Sequence, residues 1–285
     1  MASEIVVGCG EWGFRELPLE EHFRIANELG FRYLEFGIGG GQTGRLPDDL
    51  SNTDITDFKA LAQKYGLVTP FCCIENDFTL PDAAAHDAMV EQTLTSIRLA
   101  ARCGATHVRL FAGFAPADEV DDAIWSRMIH AFEKTDTLCR QNSMQVAIET
   151  HGKLLFQEGG EAIHVHTVST EPSSVRRLLA NLPPTIGFNY DPGNLKALEP
   201  DDRSYCLDLL DPRINYCHLK DWKRQGDGWV AVAIGDDDLD YGPLIRSMSF
   251  DGVYLIEYEP LHDVFDGIRR SLAYLDRIAP GHRMS

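Results

Sequence analysis

Eight short runs of apolar, β-branched and aromatic residues recur at roughly 30–40-residue intervals, at residues 5–9, 33–37, 67–73, 106–111, 144–149, 185–190, 214–218 and 253–257. The segments between them have helical spacing. Leu19, Phe23, Ala26 and Leu29 recur three and four apart and are followed by Gly30; Ile55, Phe58, Leu61, Ala62 and Tyr65 do the same before Gly66. Longer amphipathic stretches cover residues 82–103, ending at Gly104, and residues 118–141. Strand then helix, eight times over, predicts an α/β chain folded as a single (β/α)8 barrel. No Ser/Gly tract, charge block or low-complexity stretch divides the 285 residues, so one domain over 1–285 is expected. An open doubly wound sheet would use fewer repeats and carry a glycine-rich phosphate loop. Gly37–Gly41 follows the second strand, but the residues after it do not open a helix.

A closed barrel gathers the C-terminal ends of its strands at one mouth. Four of the later strands run into polar residues there: VAIETHG carries Glu149, GFNYDPGN carries Asp191, YCHLKDW carries His218 and YLIEYEP carries Glu257. Each has an ordinary explanation when taken alone. Glu149 could be a paired strand-end carboxylate, Asp191 a turn former before Pro-Gly, and His218 a hydrogen-bonded strand end. Glu259 could share the direction of Glu257, but Pro260 assigns it to the loop. Three carboxylates and one imidazole on four successive strands suit one divalent cation, Mn²⁺, Mg²⁺ or Co²⁺ first and Zn²⁺ as a further possibility, since an oxygen-rich shell without thiolate does not select soft metals. Residues 153–168, longer than a minimal connection and carrying His164 and His166, read as a loop covering that mouth.

The formal net charge of −18 opposes binding to phosphate backbones and anionic membranes. Asp201–Asp202 and Asp236–Asp238 read as solvated loop charges. The seven cysteines lie in apolar segments without CxxC or zinc-finger spacing, as core-filling thiols of a cytosolic protein do. The first residues show neither a basic nor a long apolar region, and no apolar run approaches the ~20 residues of a membrane span. A cytoplasmic protein without nucleic-acid or membrane partners is expected.

The segments E-T-H-G, Y-D-P-G-N, H-L-K-D-W and I-E-Y-E-P resemble the sugar isomerase/epimerase superfamily of xylose isomerase-like barrels. That group includes ketose 3-epimerases, inosose dehydratases and hydroxypyruvate isomerases. The resemblance implies that Glu149, Asp191, His218 and Glu257 bind one divalent metal and that Glu149 and Glu257 form an acid/base pair. It further implies a carbohydrate substrate, a dimer or tetramer, a substrate-binding role for Arg224, six residues after His218, and a pocket-lining role for Glu35. Two positions depart from the epimerase pattern. Asn194 stands where a histidine is usual three residues after the metal-binding aspartate, and Gly235-Asp236-Asp237-Asp238 replaces a less acidic glycine-rich turn.

On such a shell, loss of a carbon-bound proton beside a carbonyl leads to an enediolate, with one glutamate as base and the other as acid. Return of the proton then epimerises or isomerises the sugar; loss of a β-hydroxyl makes the same site a dehydratase or lyase. Lys220, Arg224, His151, Asn194, Trp12, Glu35, Glu75 and Arg109 are the residues expected to choose between these outcomes, with Trp12 as an apolar wall against the sugar. A repair endonuclease on the same barrel would need more strand-end histidines than strands two and three provide, and a less acidic chain. A barrel that binds a sugar without turning it over is the remaining rival.

Overall fold

The structure, a computed structural model, describes residues 5–279. In chain order its strands are β1 (Val6–Cys9), β2 (Tyr33–Ile38), β3 (Val68–Ile74), β4 (His107–Leu110), β5 (Gln145–Glu149), β6 (Lys153–Phe156), β7 (Ala162–Val165), β8 (Gly187–Tyr190), β9 (Ile214–Leu219), β10 (Asp221–Gln225), β11 (Gly228–Val232) and β12 (Val253–Ile256). The helices are α1 (Leu19–Glu28), α2 (Asn52–Tyr65), α3 (Ala83–Cys103), α4 (Asp122–Gln141), α5 (Pro172–Asn181), α6 (Pro192–Leu198), α7 (Leu207–Leu210), α8 (Tyr241–Ser247) and α9 (Val264–Ile278). Strands β1, β2, β3, β4, β5, β8, β9 and β12 close into a parallel barrel, and these are the eight runs picked out by pattern. The chain is a (β/α)8 barrel.

Helix ends follow the local chemistry of the sequence. Ser51 and Asp54 form a reciprocal capping box at the start of α2. Asp82 and Asp121 cap α3 and α4 through the backbone N–H groups of Ala85 and Ile124. Gly66 and Gly104 end α2 and α3 in the left-handed region, with φ of 66° and 102°. The stretch read as helical from residue 118 begins instead with a short 3-10 turn, and α4 starts only after its Asp121 cap.

Period-2 alternation divides each barrel strand into an inward and an outward face. Leu34, Phe36 and Ile38 of β2 face out into the main core, where Phe36 meets Phe58 of α2 at 4.8 Å between ring centroids. Facing inward, Phe71, Ala147, Tyr216 and Leu255 pack with Tyr33 and Val253 into an apolar layer across the barrel. Two residues further along the same strands stand Cys73, Glu149, His218, Glu257 and Glu35. A polar layer thus rests on a closed apolar plug, at the end of the barrel where the strands terminate.

The region read as a mouth loop is a β-hairpin. β6 and β7 pair antiparallel, β10 and β11 do likewise, and Trp229 opposite Ala162 joins the two hairpins into one four-stranded sheet. The segment after His218 therefore doubles back as a strand pair. All seven cysteines are buried and unpaired. Among the described residues, no helix is long and apolar enough to cross a membrane.

His22 on α1 is fully enclosed, stacked on Phe14 at 4.0 Å and 3.7 Å from Cys9 Sγ. Burial pushes its pKa down to about 3, against a weaker upward pull from Glu35. The folded protein therefore favours neutral imidazole. This contribution is complete above the unfolded pKa of about 6.5 and is lost as pH falls toward the folded value. From pH 7 to pH 5 the wild type should lose about 2 kcal/mol on this account, and a His22→Phe variant that keeps the stack should be spared that loss. Urea unfolding of both proteins at the two pH values checks it; equal losses would refute it.

Candidate metal centre

Glu149 ends β5, Asp191 caps α6, His218 lies near the end of β9, and Glu257 directly follows β12. One ligand atom from each lies within 4.8 Å of the others, and all four residues are buried. The His218 Nδ1 is 3.4 Å from Glu257 Oε2 and 3.8 Å from Glu149 Oε1. Asp191 is fixed from two sides. Its N–H donates to Thr150 Oγ1 at 2.9 Å, and its Oδ1 accepts from the Asn194 N–H at 3.0 Å.

Glu35 stands behind the imidazole. Its Oε1 lies 2.8 Å from His218 Nε2, the Tyr216 hydroxyl donates to the same oxygen, and the Glu11 N–H donates to Oε2 at 3.0 Å. Holding Nε2 in this way turns Nδ1 toward the Glu149 and Glu257 carboxylates, where it also lies 3.0 Å from the Asn189 side-chain nitrogen; a carboxylate commonly orients a ligating histidine in this way. Cys73, which with Glu35 and His218 makes a second close group, has its thiol pushed up by burial and supplies no thiolate.

The charges are balanced by neighbouring cations. Burial alone would raise the Glu257 pKa, but His218 and Lys220 hold it well below the ordinary carboxylate range. Glu149 is likewise held down by Arg109 against the effect of burial. Asp191, with burial dominant and Lys220 pulling the other way, is pushed up to about 7. Burial opposes a charged His218, yet Glu257 and Glu35 keep it protonated well above its usual range. Lys220 Nζ lies 2.5 Å from Glu257 Oε2 and 2.9 Å from Glu259 Oε2, and Arg109 Nε lies 3.0 Å from Glu149 Oε2. Neither the Glu149 Oε2 nor the Glu257 Oε2 contact has hydrogen-bond geometry, so both oxygens are buried without a directional partner. Two carboxylate oxygens met only by ion-pair contacts, a third carboxylate and an imidazole that must exchange its proton for another cation fit a hard divalent ion.

The centre opens into a cavity of about 300 Å³ lined at its base by Glu149, Glu257, Lys220, His151, Arg109 and Glu75. His151 lies against the edges of Phe111 and Phe114, at 5.1 and 5.8 Å, and burial lowers its pKa so that the ring is neutral. Trp12 forms part of the wall and donates Nε1–H to Glu259 at 2.9 Å. Asn194 sits behind the ligands, with its amide nitrogen 3.2 Å from Glu149 Oε1 and 3.1 Å from Asp191 Oδ2 and its oxygen accepting from Trp222 Nε1 at 3.3 Å.

Arg224 is not brought to this cavity. It lies exposed on β10, its guanidinium 5.3 Å from the Trp229 ring, because the chain after Lys220 turns outward into the hairpin. Glu259 lies in the loop after β12, as its pattern implied, and from there it faces the cavity and ties Lys220 to Trp12. Arg45, which no periodicity marks, is buried between Glu75 and the Cys73 carbonyl, and contacts Glu11 at 3.5 Å. It passes where Gly37 lacks a side chain: a Cβ there would collide with the guanidinium.

No curated protein sequence matches this chain. Among solved structures, a xylose isomerase-like TIM barrel protein from Mycobacterium smegmatis in complex with magnesium is 17% identical, with a TM-score of 0.74 and 96% of each chain covered. The 3-keto-D-glucoside 4-epimerase of E. coli is 16% identical, with a TM-score of 0.72, covering 96% of this chain and 100% of its own. The probable 3-DHS dehydratase of Bacillus anthracis is 16% identical, with a TM-score of 0.72, covering 95% and 98%. At these identities the likeness is one of fold. The model of one family matches residues 23–278, nearly all of the barrel, and with it the chain belongs to the xylose isomerase-like TIM barrel family.

Proposed function

We propose that this chain is a divalent-metal-dependent sugar isomerase or epimerase with Glu149 and Glu257 as its acid/base pair. The observation that carries this reading is the convergence of Glu149, Asp191, His218 and Glu257 on one buried point at the base of an open cavity. When bound there, a divalent cation supplies Lewis-acid polarisation of a carbonyl and its neighbouring hydroxyl. The chain's own residues do the rest. Glu149 and Glu257 come from β5 and β12, with β8 and β9 between them, so they reach the cavity from opposite sides. One removes a proton from carbon and the other returns it. Arg109 beside Glu149, and His218 with Lys220 beside Glu257, favour the ionised, proton-accepting form of each, so the glutamate that returns a proton must first take one up from solvent. Glu35 holds His218 through Nε2, the nitrogen turned away from the centre, and Asn194 holds Asp191 through its carboxylate oxygens.

Lys220 supports a second reading, a dehydratase or lyase on the same class of substrate. Its ammonium group lies at the cavity base, charged despite burial, where it can donate a proton to a departing β-hydroxyl. The E. coli epimerase and the B. anthracis dehydratase show that both names occur on this fold. Product mass separates the readings, since dehydration removes one water and isomerisation none. Metal content tests their shared basis. Purified wild type incubated with Mn²⁺ should hold about one ion per chain at these four ligands, and His218→Ala should lose it. Metal-free wild type after such loading would remove the basis of both.

A further inference from the structure

The carboxylate end of the cavity is polar, and apart from Arg15 and Glu259 the rest of its lining is not. Trp12, Phe111, Phe114, Leu154 and Phe156 line it above the carboxylates. Phe111 and Phe114 pack on each other at 4.8 Å and rise from the β4 end. Leu154 and Phe156 come from β6, where alternation turns both toward the cavity and leaves Leu155 and its cross-strand partner Ile163 on the other face. Phe156 is 70% exposed, the most exposed of the large apolar side chains among the described residues. A single exposed Phe is ordinary; one continuous with four further apolar residues around a cavity is a surface that gains by being covered.

A bare monosaccharide would use the polar base and could lay one C–H face on Trp12, but it carries no apolar group to cover Phe114, Leu154 and Phe156. Accepting the proposed metal-dependent reading of the site, we infer that the substrate is a sugar derivative bearing an apolar substituent, an aryl or alkyl glycoside, with its keto sugar ring at the carboxylate base and its aglycone against Phe156, Leu154 and Phe114. The accessory sheet is then a specificity element. It adds apolar surface to the cavity without contributing any of the four ligands.

The test uses Mn²⁺-loaded full-length protein and a matched neutral pair, methyl and phenyl 3-keto-β-D-glucopyranoside, with dissociation constants measured by calorimetry. The phenyl compound should bind about tenfold or more tightly than the methyl one, as expected for covering an exposed aromatic ring. In Phe156→Ser that ratio should fall toward one. In Leu155→Ser, a change on the opposite face of the same strand at a side chain that is also exposed, it should persist. Because Phe156 is largely exposed, its replacement leaves the barrel core intact. Equal affinities in the wild type, no binding of either compound, or an unchanged ratio in Phe156→Ser would each overturn the inference. Metal content of the same samples keeps this failure separate from failure of the metal site itself: a loaded protein indifferent to the aglycone loses only the collar's role.

Discussion

Glu149→Gln and Glu257→Gln should each lower turnover of a responsive keto sugar by roughly 10²–10⁴ at saturating Mn²⁺, because each removes one of the two groups that handle the carbon-bound proton. The loss should divide by direction. If each glutamate serves one face of the reacting carbon, solvent-deuterium incorporation in a variant should persist from one epimer and stop from the other. A residue that only ligated the metal would depress exchange from both epimers alike. The two variants should also differ in stability. In Glu257→Gln, Lys220 keeps Glu259 at 2.9 Å, whereas Glu149→Gln removes the carboxylate that Arg109 faces at 3.0 Å. A buried guanidinium facing a neutral amide is the costlier state. Wild-type turnover in either variant, or symmetric loss of exchange in both, would remove the acid/base assignment.

Most of this site could be read from the sequence because barrel geometry turns position along a strand into depth. Residues two apart share a face, so an apolar Ala147, Tyr216 or Leu255 followed by Glu149, His218 or Glu257 marks the step from plug to site. Asp191 could be read for a different reason: Asp before Pro-Gly is a helix-opening cap, and the cap lies at the mouth of the barrel. What escaped depended on chain reversals. Arg224 has the spacing of a cavity residue, but the two-residue turn at Gly226-Asp227 makes β10 and β11 a hairpin, on which Arg224 lies exposed. Glu259 belongs to the loop, as Pro260 indicates, but a proline only restrains the backbone before it and does not turn a side chain from a cavity. Arg45 has no local signal at all, since only the absent side chain of Gly37 on a neighbouring strand makes room for it.

The acidic turn at residues 236–238 is solvated at Asp236 and Asp238, as its charge suggests, yet it supports the largest stability effect expected outside the centre. Asp237 and Asp238 close on Lys196 of α6, whose Nζ lies 2.7 and 3.1 Å from them and 2.8 Å from the fully buried Asp221. Lys196 itself is 1% exposed. Replacing it with Met keeps most of the volume but strands the Asp221 carboxylate, and should destabilise the fold by about 3–5 kcal/mol. The pH dependence distinguishes this cause from lost packing. Burial already raises the Asp221 pKa against the pull of Lys196, so without the lysine it should rise further. An acid whose folded pKa lies above its unfolded one costs most when ionised, and that cost shrinks as pH falls through the folded value. The Lys196→Met deficit should therefore narrow on acidification, and Asp221→Asn in the same chain should recover much of it. α6 begins at the Asp191 cap, so the variant should also weaken Mn²⁺ binding even though it touches no ligand. Urea unfolding of the single and double variants, with Mn²⁺ titrations on each, decides the matter; a deficit insensitive to both pH and Asp221→Asn would assign it to packing and leave the ion cluster without a structural role.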